Sequence, residues 1–229
     1  NASGIVEQSC VMGANQPPPF AVVRDPAELG SVSLEPPLIA KPLFEGSSMG
    51  IRKTSRSGDA RELEETVAHL VGDYGQPAIV EEFCPGEEFT IGILGTGESA
   101  SVVGVMEIVP RHGKREDFIY SLEVKRNYLE EVDYHVPPIC PKPLADRAAA
   151  VALEAYRVLG CRDVSRVDVR VGRDGEPKFI EVNPLPGLNP VTGDLVILAN
   201  RSGMEYTGFI GRILEQAIIR HRRRTWDAG

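Results

Sequence analysis

The sequence predicts an α+β fold built mainly from antiparallel sheets. Short apolar runs typical of strands follow one another with turn residues between them, and only three stretches repeat their apolar residues at helical spacing. A strong hairpin signal, Asp174-Gly175, lies between two further strand-like runs. Strands joined by short turns and accompanied by a few helices are typical of the α+β class.

The predicted elements follow in chain order. Strands are expected at residues 37–41, 78–83, 89–94 and 101–109, with Gly95-Thr96-Gly97 as the last turn. A helix is expected over Ala60–Tyr74, with Gly75 at its end, and two more over residues 144–159 and 205–221. Residues 110–126 carry several cationic side chains without a clear period, and they predict a mobile basic loop.

Composition excludes some classes of protein. The 229 residues include 25 Lys plus Arg against 33 Asp plus Glu, so the net charge is −8, which argues against nucleic-acid binding through a basic surface. No apolar run approaches the roughly 20 residues of a membrane span, and no signal peptide is recognisable at the N-terminus. Four scattered cysteines without a CxxC pair predict reduced thiols and a cytoplasmic location.

The hairpin at residues 164–183 brings acidic residues together. Its first strand alternates valines with Arg166, Asp168 and Arg170, so it has one apolar face. With Asp174-Gly175 as a two-residue turn, the register follows directly. The predicted pairs are Val169 with Ile180 and Val167 with Val182 on the apolar face, and Asp168 with Glu181 and Arg166 with Asn183 on the other.

Two carboxylates directly opposite each other repel unless a positive charge compensates them. A divalent cation is one solution, because Asp, Glu and Asn oxygens are hard ligands of the kind that Mg²⁺ prefers. Neutralisation by Arg166 and Arg170 on a solvated face is the other, and a register slip of one residue would remove the pairing altogether. Spacing alone leaves both interpretations open.

Two more segments carry candidate site residues. Lys41 precedes Glu45-Gly46-Ser47-Ser48-Met49-Gly50, a loop of small residues that would let the backbone approach a phosphate. Taken alone, a lysine at the end of a strand before a flexible turn is the commoner explanation of this pattern. Residues 79–90 place acids at the edges of two strands around Pro85-Gly86, where they would hydrogen-bond an adenine and a ribose or form an acidic surface hairpin.

In this order the segments resemble the ATP-grasp superfamily, most closely the D-alanine–D-alanine ligases. The resemblance covers nearly the whole chain. The matching motifs are Ile39-Ala40-Lys41-Pro42, Glu45-Gly46-Ser47-Ser48, Val80-Glu81-Glu82-Phe83, Glu88-Phe89-Thr90, Glu123-Val124-Lys125, Arg166-Val167-Asp168-Val169, Glu181-Val182-Asn183-Pro184 and Pro186-Gly187-Leu188.

The resemblance implies an ATP-grasp fold, in which two α+β lobes with antiparallel sheets clamp a nucleotide. Residues 1–80 would form the central lobe with the phosphate loop, and residues 81–229 the C-terminal lobe with the hinge, metal site and lid. The implied reaction is ATP-dependent joining of a carboxylate to an amine through an acyl phosphate. The basic loop at residues 110–126 would be the lid that keeps water away.

The resemblance also assigns roles to single residues. Lys41 and Lys125 would hold the ATP phosphates, with Ser47 and Ser48 on the loop that closes over them. Glu81 and the backbone near Phe83 would recognise adenine, and Glu88 the ribose. Mg²⁺, or Mn²⁺ in its place, would be held by Asp168, Glu181 and Asn183. Arg166 would stabilise the acyl phosphate, so Arg166 and Ser47 are the expected catalytic residues.

The amino-acid side of the site matches the ligases less well. No lysine precedes Lys41, Arg126 replaces the usual tyrosine, and residues 189–194 differ from the loop expected to grip a terminal carboxylate. We expect ATP and amino-acid-like small molecules as ligands, with an additional N-terminal domain or a second copy of the chain in a homodimer. Two alternatives stay open: a ligase relative with another acid or amine, and a nucleotide-binding module without turnover.

Overall fold

The structure is a computed structural model that describes residues 17–45 and 55–226. Its strands form two antiparallel sheets. The first has the order β1-β4-β2-β3 and consists of β1 (Phe20–Val23), β2 (Leu38–Pro42), β3 (Arg56–Ser57) and β4 (Ala78–Glu82). The second has the order β7-β6-β5-β8-β9 and consists of β5 (Glu88–Leu94), β6 (Ser101–Pro110), β7 (Val132–His135), β8 (Val164–Val171) and β9 (Pro177–Asn183). This arrangement agrees with the predicted α+β class.

Helix α1 (Ala60–Tyr74) packs on the first sheet. The Asp59 carboxylate accepts hydrogen bonds from the first backbone N–H groups of the helix, and Gly75 ends it with φ of 60°. Its buried stripe of Leu63, Val67 and Leu70 contacts the apolar side chains of the strands. The helical spacing of these residues predicts both the element and its bounds correctly.

Helices cover the second sheet on both faces. Helix α4 (Lys142–Val158) packs against the odd-numbered residues of β5, such as Phe89 and Ile91. Helices α5 (Asp194–Arg201) and α6 (Tyr206–Trp226) pack against the opposite face, where Leu195 and Leu198 contact Met106 and Leu94. The end of that face near Glu88 and Asp168 borders a cavity instead.

The prediction of a structureless basic loop at residues 110–126 is wrong. A short 3-10 helix (Arg115–Asp117) and helix α2 (Leu122–Arg126) lie in it, followed by α3 (Tyr128–Glu131) and by β7, which sequence patterning also missed. Basic residues are held by acids elsewhere: Arg111 binds Asp133, and Arg115 binds Glu87 at 2.9 Å and the fully buried Glu107 at 3.2 Å. These distant partners order a segment that has no local period.

The β8–β9 hairpin confirms three of its four predicted pairs: Arg166 with Asn183, Val167 with Val182 and Asp168 with Glu181. The fourth is wrong, because Val169 pairs with Phe179. A register shift between Asp168 and Val169 leaves Ile180 as the extra residue of a β-bulge. The turn has three residues rather than two, since the Gly172 N–H donates to the Glu176 carbonyl at 2.9 Å.

None of the described helices combines the length and the apolar character that a membrane span requires.

Candidate functional site

A cavity of about 360 Å³ lies between the two sheets. Its wall is formed by both sheets and by the segment that joins them. Ile119, Tyr120 and Lys125 of residues 110–126 also contribute. The lining residues include Lys41, Glu81, Phe83, Cys84, Glu88, Tyr120, Lys125, Asp168, Arg170, Glu181 and Asn183. The fold therefore brings together most of the residues that the sequence predicts for the site, although they are spread over more than 140 positions of the chain.

Asp168 and Glu181 face each other at the floor of this cavity. They are paired residues of β8 and β9, and both contact the Arg166 guanidinium. Burial raises the pKa of Asp168 to about 6, with Arg166 opposing and Glu181 adding to the shift. Burial also acts to raise the pKa of Glu181, but Lys125, Asn183 and Arg166 outweigh it and hold that pKa at about 2.

Asn183 and Thr90 complete the polar floor. The Asn183 amide nitrogen donates to Glu181 Oε1 at 2.9 Å, and the Thr90 hydroxyl donates to Asp168 Oδ1 at 2.9 Å. Two carboxylates and an amide on adjacent strands form a hard-oxygen set that suits Mg²⁺ or Mn²⁺. Within the described residues, no group of three or more His, Cys, Asp or Glu side chains forms a cation site, so this set depends on the Asn183 amide.

Arg166 neutralises part of this acidic charge. Its Nη2 lies 3.0 Å from Asp168 and 3.2 Å from Glu181, and its Nη1 lies 3.3 Å from Asp194. Burial opposes the charged guanidinium, but the three carboxylates together raise the pKa of Arg166. Arg166 is therefore a permanent cation beside the acid pair.

Lys41 and Glu81 form an ion pair on the first-sheet side of the cavity. Both side chains are largely buried, at 16% and 8% exposed. They belong to neighbouring strands, because Lys41 pairs with Ile79 and Ile39 with Glu81 in the β2–β4 ladder. The cavity thus has a compensated charge pair at this wall and the acid pair on the opposite sheet.

The segment between the sheets holds Phe83 in the cavity wall. The guanidinium groups of Arg170 and Arg56 lie 4.5 and 5.3 Å from the centre of its ring. The Phe83 N–H donates to the Pro37 carbonyl at 3.0 Å, so this backbone donor is already used. Among the described residues the Cys84 N–H has no such partner, which makes Cys84 the nearest backbone donor left for a ligand.

Glu88 lies at the start of β5 with its side chain largely covered, at 16% exposed. Burial raises the pKa of its carboxyl group, and Arg170, 3.6 Å away, opposes that shift. Within the described part of the chain, Glu88 Oε2 is buried and has no hydrogen-bond donor. A buried carboxylate oxygen without a donor is suited to accept a hydrogen bond from a ligand hydroxyl.

Lys125 reaches the cavity from helix α2. Its ammonium lies 4.9 Å from the centre of the Tyr120 ring, and it acts electrostatically on Asp168, Glu181 and Glu88. The cavity therefore has a lysine on each side, Lys41 on β2 and Lys125 on α2. Ser47 and Ser48 lie outside the described residues.

Sequence reasoning missed three polar residues of this region. The sequence could have indicated Thr90, since strand alternation places it on the same face as Glu88. No local pattern indicates Asp194 or Tyr134. Asp194 contacts Arg166, and Tyr134 contacts Asp194, only because α5 and β7 pack near each other.

Comparison with known proteins identifies the family. A family model described as the D-ala D-ala ligase C-terminus matches residues 24–215. A D-alanine–D-alanine ligase of Cupriavidus metallidurans is 34% identical over 206 residues, which are 88% of this chain and 59% of the relative. A D-alanine–D-alanine ligase of Bordetella pertussis is 35% identical over 209 residues, 90% of this chain and 62% of the relative. This chain thus spans about three fifths of the length of these relatives.

Solved structures agree on the fold. The VanG D-Ala:D-Ser ligase of Enterococcus faecalis has a TM-score of 0.72 at 23% identity, over 94% of this chain and 60% of that one. A D-alanine–D-alanine ligase of Bacillus anthracis complexed with ATP has a TM-score of 0.71 at 22% identity, over 97% of this chain and 69% of that one. With these neighbours, the two antiparallel sheets around a cavity are an ATP-grasp fold, and the chain belongs to the family of D-alanine–D-alanine ligase C-terminal domains.

Proposed function

We propose that this chain is the ATP-binding part of a ligase that joins a carboxylate to an amine, with ADP and phosphate as products. The observation that carries the proposal is the cavity that places the Asp168–Glu181 acid pair opposite Lys41 and beside Lys125. Acids for a divalent cation and two lysines around one cavity suit the triphosphate of ATP. The relatives named as D-alanine–D-alanine ligases support the reaction class.

ATP would lie between the sheets. Lys41 and Lys125 would bind its phosphates, as would the loop with Ser47 and Ser48. Glu81 and the backbone near Phe83 would recognise adenine. The buried Glu88 oxygen without a donor would accept a hydrogen bond from the ribose. The lobe boundary near residue 80 stays part of this proposal, with sheet residues 20–82 on one side of the nucleotide and 88–183 on the other.

Asp168, Glu181 and Asn183 would hold Mg²⁺, with Mn²⁺ as a substitute. The fit rests on the donor set, since two close carboxylates and an amide are the oxygen ligands that these ions take. When bound, the ion would neutralise charge on the ATP phosphates. Arg166 lies beside the acid pair and, as an arginine, would keep its charge whether or not the acids bind an ion.

The reaction needs two steps. A carboxylate oxygen of the first substrate attacks the γ-phosphorus, and the bond from that phosphorus to the bridging oxygen breaks to release ADP. The amine nitrogen of the second substrate then attacks the acyl carbon, inorganic phosphate leaves, and the nitrogen loses a proton. Arg166 would stabilise the acyl phosphate and the charge that develops on it, which is mainly electrostatic catalysis. Residues 110–126 would exclude water as a lid.

The cytoplasm is the proposed location, because ATP is available there and Cys84, Cys140 and Cys161 are free thiols.

The test is a screen of amino acids for ADP release, combined with hydroxylamine trapping of acyl phosphates as hydroxamates. Trapping needs only the acid and ATP, so it reports the first step without the amine. Amino-acid-dependent hydroxamate that disappears in Asp168→Asn and persists in Asp146→Asn supports the proposal. Asp146 is a control because it pairs with Lys142 on an exposed helix face. Because the chain is proposed as one part of the ligase, the contradicting result is sought with the remaining part present: binding of ATP there without hydroxamate or ADP from any acid tested would contradict a ligase.

A further inference from the structure

Asp194 is the first residue of α5 and its carboxylate is largely buried, at 18% exposed. Both of its oxygens have partners. Oδ2 lies 3.3 Å from Arg166 Nη1, and Oδ1 accepts a hydrogen bond from the Tyr134 hydroxyl at 3.2 Å. Asp194 is not among the site residues predicted from the sequence, and it lies outside the wall of the cavity.

Arg166 divides its hydrogen bonds between two sets of acids. Nη2 is used by Asp168 and Glu181, and Nη1 by Asp194. In the described part of the chain its Nε is buried without an acceptor, so the guanidinium is held only through these two nitrogens. Within residues 17–45 and 55–226, Asp194 is therefore the one carboxylate that holds Arg166 from the side away from the acid pair.

The charges of this cluster indicate what the contact between Asp194 and Arg166 does. A buried arginine that loses its carboxylate partners is costly, because its charge stays uncompensated. If a divalent cation takes Asp168 and Glu181, as the proposed function requires, Arg166 needs another counter-ion. Asp194 supplies it without moving.

A chain of hydroxyl groups continues from Asp194 to the cavity. A carboxylate only accepts, so the Tyr134 hydroxyl donates to Asp194, and the Tyr120 hydroxyl in contact with it must donate to Tyr134. The Tyr128 ring stacks on Tyr134 at 5.6 Å, and Tyr120 lies under Lys125 in the cavity wall. Asp194 thus connects Arg166 with the segment that carries Lys125.

We propose that Asp194 is a positioning residue, which keeps Arg166 in place and charge-compensated while Asp168 and Glu181 bind a divalent cation. This inference rests on the proposed function. Without Asp194, Arg166 relies wholly on the acid pair and competes with the cation. Asp194→Asn should therefore weaken the cation site, although Asp194 itself does not reach the cavity.

The test is titration of the 229-residue chain with Mn²⁺ in the presence of ATP, followed by electron paramagnetic resonance of free Mn²⁺. We expect Asp194→Asn to weaken Mn²⁺ binding about tenfold, and Asp194→Glu to restore most of the loss. Binding of metal-free ATP should change less than twofold. The matched control Asp146→Asn removes an exposed acid–lysine pair, with Lys142, and should leave both affinities unchanged.

A double-mutant cycle separates positioning from general damage. In an Arg166→Gln background there is no guanidinium to hold, so Asp194→Asn should change Mn²⁺ affinity by less than about threefold. Equal losses in both backgrounds would overturn the inference, as would unchanged Mn²⁺ binding in Asp194→Asn.

If Asp194→Asn does not fold, Tyr134→Phe replaces it, because it removes the donor to Asp194 Oδ1, together with the acceptor of the Tyr120 hydroxyl, and keeps the Asp194 carboxylate. We expect a loss of about threefold in Mn²⁺ affinity for that variant, and the same affinity as wild type would overturn the inference. Failure of the wild-type chain to bind Mn²⁺ with ATP is a separate result, which would overturn the proposed function and this inference with it.

Discussion

Asp168 and Glu181 lie directly opposite each other on β8 and β9, and a single arginine two residues before Asp168 contacts both. Like charges in this position are unfavourable, so the strand pair needs a cation. In this structure the Arg166 guanidinium is that cation. The cavity opens above the pair and has two lysines around it. In the proposed function, a divalent cation that binds together with the ATP phosphates would share this compensating role with Arg166.

Removing one of the two acids should weaken cation-dependent binding. We expect Asp168→Asn or Glu181→Gln to reduce the Mg²⁺-dependent affinity for ATP about tenfold or more, because each change removes one charged oxygen ligand of the proposed site. Isothermal titration calorimetry with and without Mg²⁺ measures this. The surface variant Asp146→Asn should bind as the wild type does, and equal Mg²⁺ dependence in all variants would contradict the assignment.

Removing the lysine on α2 should weaken ATP binding in a different way. Lys125→Ala is expected to reduce ATP affinity about tenfold or more, since a hydrogen bond to a charged group contributes about 1.5–3 kcal/mol. The loss should persist without Mg²⁺. Lys114→Ala, in the same segment, is the control, because Lys114 is exposed and pairs with Glu116. If both variants bind ATP equally well, Lys125 does not contact the phosphates.

The segment between the sheets depends on Gly86. A Cβ atom there would lie 2.6 Å from Val171 Cβ and 2.9 Å from the Val171 carbonyl oxygen, to which the backbone of Gly86 is hydrogen-bonded. We expect Gly86→Ala to lower the free energy of unfolding by about 1–3 kcal/mol. The matched control is Gly211→Ala, which we expect to raise the free energy of unfolding.

Gly211 lies in α6 with nothing within 4 Å of a Cβ atom, so alanine there should stabilise the helix by about 0.5–1 kcal/mol. Urea unfolding of both variants gives the comparison. A Gly86→Ala protein as stable as the wild type would show that the two sheets are joined less tightly than the contacts of Gly86 indicate.

The thiol of Cys84 should react slowly. Burial raises its pKa to about 12, partly opposed by Arg170, whereas an ordinary cysteine has a pKa of about 9. Because only the thiolate reacts, iodoacetamide should modify Cys84 in the folded chain about a thousandfold more slowly near pH 7 than in the unfolded chain. Its rate should keep rising with pH beyond pH 10. Mass spectrometry of the Cys84 peptide measures it, and a plateau near pH 9 would show an unperturbed thiol.

The hairpin shows how far local patterns predict this site. A two-residue turn at Asp174-Gly175 is the expectation, and the correct pairing of Asp168 with Glu181 follows from it. The real turn is one residue longer, with Gly175 at φ of 78°, and the bulge at Ile180 shifts the register back by one residue. The longer turn and the bulge shift the register in opposite directions, so the predicted pairing is correct at Asp168 and Glu181. Val169 lies between the turn and the bulge, so its predicted pairing is wrong.

Other parts of the site could not be predicted from local patterns. Residues 110–126 are held by acids outside the segment, such as Glu107 and Asp133. The apolar pattern of the segment itself therefore does not predict its structure. Asp194 lies near Arg166 only because α5 packs across the second sheet. Helix α1 is the opposite case, since its cap residues and apolar stripe are all local and its bounds were predictable.

The most direct test is thermal unfolding of this chain with ATP, with and without Mg²⁺. A ligand that binds only the native state at a hundred times its dissociation constant adds about 2.7 kcal/mol of stability. For a chain of this size that is an increase in Tm of roughly 5–10 °C. We predict this increase with ATP and Mg²⁺ together, and a smaller one with ATP alone. An unchanged Tm at millimolar ATP and Mg²⁺ would contradict a nucleotide site between the two sheets.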